Sequence, residues 1–173
     1  VAAVLFKTEL ATLLFDLLTP DEALDRSNVF DIALLARRIL AGTRWIAAQP
    51  ETSQLDIGYF GASTGAGAAL RAAAESDRHI GAVVSRGGRP DLAGECLSAV
   101  TSPTLLIVGG EDHEVLALNR AAADQMRCEH RVSVVPGAGH LFEEPGTLDQ
   151  AASSARDWFV QHLLGADAVG SPQ

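Results

Sequence analysis

Cysteine and basic residues are both scarce in this sequence, and each shortage argues against a class of function. Only two cysteines occur in 173 residues, Cys96 and Cys128, and they lack the close spacing of a metal knuckle or a redox pair. Free thiols in a reducing, cytoplasmic location are therefore expected. Lys and Arg number 13 against 22 Asp and Glu, which gives a formal net charge of −9. This charge argues against nucleic acid as a partner, because polyanions are bound by clustered Lys and Arg.

Long apolar runs are absent as well. No run approaches the roughly 18 residues that a membrane-spanning helix needs, and charged side chains interrupt the apolar opening of the chain. We therefore expect no signal peptide and no membrane partner. Length and composition predict one domain over residues 1–165, followed by a flexible tail over residues 166–173.

Short apolar runs alternating with helical patterns dominate what remains. The runs are nearly continuous in hydrophobic residues, which is typical of parallel strands covered by helices on both faces. Strands are predicted in residues 11–18, 55–63, 80–88, 104–112 and 131–139. Helices are predicted in residues 28–49, 64–76, 91–100, 114–127 and 147–164, with Ser27 or Asn28 capping the first. This order predicts an α/β fold, a mostly parallel, doubly wound sheet of about five strands flanked by helices.

A serine stands where the second predicted strand meets an alanine-rich helix. The segment GASTG, residues 61–65, matches the G-x-S-x-G pattern, in which a strained turn exposes the hydroxyl of Ser63. Glycine is expected at both flanking positions because a side chain there would collide with neighbouring backbone. The following helix N-terminus favours developing negative charge. A turn without a catalytic role stays open as the alternative, because glycine- and serine-rich turns are common.

Two more residues follow Ser63 in the chain order of a catalytic triad. Asp112 and His140 each come at the carboxyl end of a predicted strand, and these ends share one edge of a parallel sheet. Ser63 as nucleophile, His140 as base and Asp112 as acid can therefore meet. The alternatives are a helix-capping role for Asp112, with Glu111 as the rival acid, and a structural role for His140.

Arginines and glycines near this edge allow further interpretations. Arg86 and Arg89 follow the third predicted strand, where they would bind a substrate carboxylate or phosphate, or simply lie on the surface. A dinucleotide-binding loop is disfavoured because Leu70 occupies the position of the third small residue. The histidines and cysteines also lack the paired spacing of a metal site. We therefore expect neither a cofactor nor a metal.

With these residues, the chain resembles the α/β-hydrolase superfamily and, in detail, its dienelactone hydrolase-like group. The similar segments are LATLLFDLLTPDE, GYFGASTGAGAAL, VVSRGGRPDLAG, PTLLIVGGEDHEVLALNR and VVPGAGHLFEEPG. The resemblance implies that Ser63 is the nucleophile, Asp112 the acid, His140 the base and the Thr64 N–H one oxyanion donor. Dienelactone hydrolases carry cysteine at the nucleophile position, so Ser63 departs from the group. Some similar domains are fused to a phosphoribosyltransferase-like domain.

The family pattern also places a strand and a His-Gly-type loop ahead of the segment that opens this sequence. That strand lies, in the family's sheet, between those corresponding to residues 11–18 and 55–63, and the loop supplies the second oxyanion N–H. Either the sequence is a fragment of a longer hydrolase, or these two strands are adjacent. In the second case the lost donor would lower the rate roughly 100- to 1,000-fold. An exposed sheet edge or gap would favour a homo-oligomer.

The sequence therefore predicts a serine hydrolase that cleaves a carboxylic ester, lactone or thioester in a small-molecule substrate. Catalysis would proceed through an acyl-enzyme on Ser63. The triad alone does not exclude an amidase, whereas a haloalkane dehalogenase is disfavoured because its nucleophile is a carboxylate. The alternative from another class is a non-catalytic or decayed domain of the same fold that binds a small molecule or a partner protein.

Overall fold

A four-stranded parallel sheet lies at the centre of residues 1–165, the part of the chain that the computed structural model describes. Its strands are β1 (Ile57–Ala62), β2 (Ile80–Arg86), β3 (Thr104–Gly109) and β4 (His130–Val135), and each pairs with the next in chain order. The predicted α/β fold with a parallel sheet is confirmed, with four strands rather than about five. The tail predicted over residues 166–173 lies outside the described residues.

Helices cover both faces of the sheet. They are α1 (Ala2–Phe6), α2 (Pro20–Leu24), α3 (Arg26–Phe30), α4 (Ile32–Ala47), α5 (Thr64–Glu75), α6 (His113–Ala123) and α7 (Thr147–Leu163), with a 3-10 helix over Pro90–Ala99. Side chains of α5 and α6 pack on one face of the sheet, and those of α1 and α7 pack on the other. None of the helices within residues 1–165 is long and apolar enough to cross a membrane.

The two central strands explain the nearly continuous apolar runs. Every residue of β3 is buried, and β2 is buried except at its last residue. Successive side chains point to opposite faces, so Val83 packs in the cluster with Leu70 and Leu106, whereas Val84 packs in the cluster with Trp158. Both faces of a strand must be apolar when both are covered, and this is why no alternation is visible in the sequence.

The strand predicted over residues 11–18 is wrong. Residues 11–16 have no regular secondary structure and are exposed, with Leu14 at 75%. They form no ladder with β1; instead, residues 9–20 line a cleft of about 1730 Å³ together with residues of α4 and β1. An apolar run becomes a strand only where a neighbouring strand accepts its hydrogen bonds. Within residues 1–165, β1 is therefore an edge strand with a neighbour only in β2.

The long helix predicted over residues 28–49 is interrupted at Asp31. Ser27 and Asn28 are not its caps; instead, the side chain of Asp25 accepts the Ser27 N–H at 2.9 Å and caps α3. Asp31 accepts the Leu34 N–H, also at 2.9 Å, and starts α4. Aspartate is a strong N-cap residue, and a second cap inside the pattern divides one helix into two.

Candidate active site

Ser63 occupies the turn between β1 and α5 in a strained backbone conformation, with φ of 50° and ψ of −126°. Among residues 1–165, only Glu9 and Phe142 are other non-glycine residues with positive φ. Such conformations persist where surrounding contacts hold them. The carbonyl of Ser63 accepts N–H groups from Ala66 at 3.1 Å and from Arg89 at 3.0 Å. The strained strand-to-helix turn expected from the sequence is therefore present.

The two glycines of GASTG have different roles. A Cβ atom on Gly61 would lie 2.5 Å from the Gly65 carbonyl oxygen and 2.6 Å from the Ala66 Cα, so strand and helix cross too closely for any side chain. The steric need predicted at Gly61 is confirmed. The one predicted at Gly65 is wrong, because a Cβ there would meet nothing within 4 Å. Gly65 lines the wide cleft beside β1, where there is room for a side chain.

Asp112 and His140 form a hydrogen-bonded pair. Asp112 follows β3 at the N-cap position of α6, but its side chain makes no capping hydrogen bond; its Oδ2 lies 2.7 Å from Nδ1 of His140. The side chain of Asp112 is 15% exposed and that of His140 is 41% exposed. Because Nδ1 faces the carboxylate, Nε2 of the ring is left for another partner. The rival acid, Glu111, is exposed, and only its backbone contacts the histidine loop.

Backbone hydrogen bonds hold the loop that carries His140. The N–H of Glu111 donates to the Ala138 carbonyl at 3.0 Å, and the Gly139 N–H donates to a carboxylate oxygen of Glu144 at 3.1 Å. The loop also lies over Gly87, the residue after β2, where a Cβ would be 3.0 Å from the His140 carbonyl oxygen. Loops that follow β2, β3 and β4 therefore meet at one edge of the sheet.

Ser63 reaches the same edge through the turn over residues 87–89. Arg89 in this turn donates its N–H to the Ser63 carbonyl, and Gly87 in the same turn lies against His140. No hydrogen bond joins the Ser63 hydroxyl to His140 in the described part of the chain. Catalytic hydrogen bonds are often long in substrate-free proteins and shorten when substrate binds.

Thr64 is the first residue of α5, directly after Ser63. The first four N–H groups of a helix have no partner inside the helix, so the Thr64 N–H is available to a ligand. The partial positive charge of the helix N-terminus adds to its attraction for an anion. The position of Thr64 therefore suits an oxyanion next to the Ser63 hydroxyl.

Arg86 and Arg89 have the same candidate role in the sequence prediction, but their surroundings in the structure differ. Arg89 donates two hydrogen bonds to the carboxylate of Asp91, at 2.8 and 2.7 Å, and these bonds raise the pKa of Arg89. Arg86 donates to the Leu141 carbonyl at 3.3 Å and lies 5.3 Å from the centre of the Phe142 ring. Burial lowers the pKa of Arg86, and no carboxylate of residues 1–165 lies within 4.0 Å of its guanidinium.

The sequence prediction missed two residues near this edge. Phe142 is 2% exposed and packs under Arg86 with a positive φ of 59°, and no pattern in the sequence indicates this. Asn119 is fully buried in α6. The available sequence signal is a polar residue on the helix face that also carries Val115, Ala122 and Ala123.

Comparison with known proteins assigns the chain to a family. The dienelactone hydrolase family matches residues 21–163. Two Mycobacterium tuberculosis proteins, from two strains, carry the provisional name phosphoribosyl transferase; each is 59% identical over 170 residues, which is 98% of this chain but 38% of the relative. The chain thus spans well under half the length of these relatives.

Solved structures have the same fold. A dienelactone hydrolase from Anabaena variabilis superimposes with a TM-score of 0.89 at 52% identity, over 94% of this chain and 77% of that protein. A dienelactone hydrolase-like promiscuous phosphotriesterase from metagenomic libraries has a TM-score of 0.60 at 18% identity, covering 80% of this chain and 63% of that one. The second likeness supports the fold alone.

Proposed function

Because the chain belongs to the dienelactone hydrolase family, we propose that it is a serine hydrolase that cleaves an ester, lactone or thioester. The observation that carries the proposal is the hydrogen bond of 2.7 Å between Asp112 and His140, at the same sheet edge as the strained turn of Ser63. A histidine oriented by a carboxylate is the base that a serine nucleophile requires.

In the proposed mechanism, the proton of Ser63 moves to Nε2 of His140 as Oγ attacks the substrate carbonyl carbon. The carbonyl electrons move to oxygen, and the Thr64 N–H stabilises this oxyanion. The tetrahedral intermediate collapses to an acyl-enzyme, and the leaving alcohol or thiol takes the proton from His140. Water then attacks the acyl carbon while His140 accepts its proton, and collapse returns that proton to Ser63 and releases the acid. Asp112 stabilises the imidazolium in both halves of the reaction.

We further propose that the substrate carries an anionic group that Arg86 binds. Four of the five N–H donors of Arg86 make no hydrogen bond within residues 1–165, and its charge has no carboxylate partner there. Arg89 is a weaker candidate than the sequence alone predicts, because Asp91 already occupies its guanidinium. Guanidinium groups bind carboxylates and phosphates in two-point geometry, which suits a small acidic ester.

The provisional name phosphoribosyl transferase belongs to proteins of which this chain matches 38%. The matched segment is the one that the dienelactone hydrolase family covers, so hydrolysis is the chemistry we assign to it. Neither a nucleotide cofactor nor a metal enters the proposed mechanism.

Labelling with a fluorophosphonate, followed by intact-mass measurement, tests this function. Wild-type protein should gain one adduct, and Ser63→Ala should gain none while keeping its circular dichroism spectrum. Ser98→Ala is the matched control, because Ser98 is an exposed serine of the 3-10 helix, and it should label like wild type. A folded wild-type protein without an adduct would favour the non-catalytic alternative, a domain that binds a small molecule or a partner protein.

A further inference from the structure

The buried side-chain amide of Asn119, in α6, donates a hydrogen bond to the backbone of another segment. The residue is 0% exposed, and its Nδ2 donates to the Gly88 carbonyl at 3.0 Å and to the Val115 carbonyl at 2.8 Å. The second of these bonds lies within its own helix, whereas the first joins α6 to the turn after β2. Oδ1 has no hydrogen-bond partner among residues 1–165. The hydrogen bonds of the Asn119 side chain within residues 1–165 are therefore both donated by its NH₂ group.

The Gly88 carbonyl belongs to the same peptide group as the N–H of Arg89. That group is planar and trans, so its carbonyl oxygen and its N–H point in opposite directions and turn together. Asn119 holds the oxygen end, and the N–H end donates to the Ser63 carbonyl at 3.0 Å. One rigid plane thus connects the buried amide of α6 to the backbone of the candidate nucleophile.

Close packing leaves this plane little room. A Cβ on Gly88 would lie 2.5 Å from Cβ of Ala66, in the first turn of α5. A Cβ on Gly67 would lie 2.7 Å from the Arg89 carbonyl oxygen. The turn over residues 87–89 therefore packs closely against α5 and is hydrogen-bonded to α6.

From this geometry we infer that Asn119 is a positioning residue for Ser63. Ser63 has a strained φ of 50°, and a strained residue keeps its conformation only while its neighbours restrain it. Asn119 fixes the plane whose N–H supplies one of the two hydrogen bonds to the Ser63 carbonyl. The same helix begins beside Asp112, so α6 aligns both the acid and the turn of the nucleophile. As a statement about catalysis, the inference rests on the proposed function.

The test compares Asn119→Leu, which keeps the approximate size of the side chain but has no donors, with Thr104→Val. Thr104 is also 0% exposed, and its hydroxyl donates to the Ser102 carbonyl at 2.9 Å, at the start of β3 and far from the site edge. It therefore controls for loss of a buried hydrogen bond. If Asn119→Leu does not fold, Asn119→Ser replaces it, because a serine hydroxyl still reaches the carbonyl within the helix but is too short for Gly88.

Two quantities are measured, the rate of fluorophosphonate labelling and the hydrogen exchange of single amides by NMR. In the Asn119 variant, exchange of the Arg89 amide should rise about tenfold more than exchange of the Leu106 core amide, and labelling should slow about tenfold. Thr104→Val should show neither selective effect. The inference is overturned if the Asn119 substitution raises exchange of the Arg89 amide by no more than it raises exchange of the Leu106 amide. It is also overturned if wild type takes the label and the Asn119 variant is labelled at the same rate. Should wild type take no label, the proposed function fails, and the exchange measurement alone decides the positioning role.

Discussion

Nδ1 of His140 lies 2.7 Å from Oδ2 of Asp112, although 28 positions separate the two residues in sequence. Asp112→Asn should therefore lower kcat about a thousandfold or more, because an amide favours the wrong tautomer of the ring and leaves the imidazolium unstabilised. Steady-state hydrolysis of a p-nitrophenyl ester measures the loss. Glu111→Gln is the control and should retain activity, since the side chain of Glu111 is exposed and, within residues 1–165, makes no hydrogen bond or ion pair with the ring. Equal losses in both variants would contradict the assignment of Asp112.

Alanine at the two glycines of GASTG should destabilise the protein at Gly61 but not at Gly65. Gly61→Ala forces a methyl group against the Ala66 backbone and should cost at least about 1–3 kcal/mol in the free energy of unfolding. Gly65→Ala meets no atom within 4 Å and lies inside α5, so it should be neutral or stabilise the protein by up to about 1 kcal/mol. Urea denaturation of both variants gives the comparison. A destabilised Gly65→Ala would mean that the first turn of α5 needs glycine for another reason.

Arg86→Gln should change substrate preference rather than activity in general. Loss of a charge-assisted hydrogen bond of about 1.5–3 kcal/mol predicts a drop of roughly ten- to a hundredfold in kcat/KM for a carboxylate-bearing ester. The same variant should hydrolyse a neutral ester of equal size at close to the wild-type rate. Arg89→Gln is the matched control, because Asp91 already neutralises that guanidinium. An unchanged ratio between the two esters in Arg86→Gln would remove the anion-binding role.

The free edge of β1 should make the described chain self-associate. Within residues 1–165, β1 pairs only with β2, and three apolar side chains that line the cleft at this strand, Phe60, Leu13 and Phe15, are 37%, 46% and 47% exposed. An unpaired strand edge with apolar surroundings can form hydrogen bonds with a strand of another molecule. Light scattering should give a mass above that of the monomer, and Phe60→Lys should shift it toward 18.1 kDa. A monomeric wild type at micromolar concentration would disprove the prediction.

The sequence alone predicted the elements whose signal is local. The apolar runs of β2 and β3 reflect burial on both faces, and the alanine-rich pattern after Ser63 matches α5 within one residue of its end. The chain order of Ser63, Asp112 and His140 also placed these residues at one sheet edge, because parallel topology puts every carboxyl end on the same side.

The predictions that were wrong or incomplete have a common physical cause. Each concerned a residue or segment whose structure depends on contacts with residues distant in sequence or on side-chain partners, which a local pattern does not specify. Residues 11–18 have the composition of a strand but lack a strand to pair with. Gly65 matches the motif, yet its surroundings are open. Arg86 and Arg89 look alike in sequence, and only the position of Asp91 distinguishes them. Asn119 donates a hydrogen bond to a carbonyl 31 residues away in sequence, a partner that the helical pattern does not identify.

The order of the strands has a consequence for biosynthesis. Each strand pairs with the one that precedes it in the chain, so the sheet can grow as the ribosome releases successive segments. Ser63 emerges first and His140 last, when β4 docks against β3. The side chains of Asp112 and His140 can therefore meet only once β4 is in place. A nascent chain that ends before β4 would therefore carry Ser63 without His140, and under the proposed mechanism its serine would be unreactive until β4 has docked.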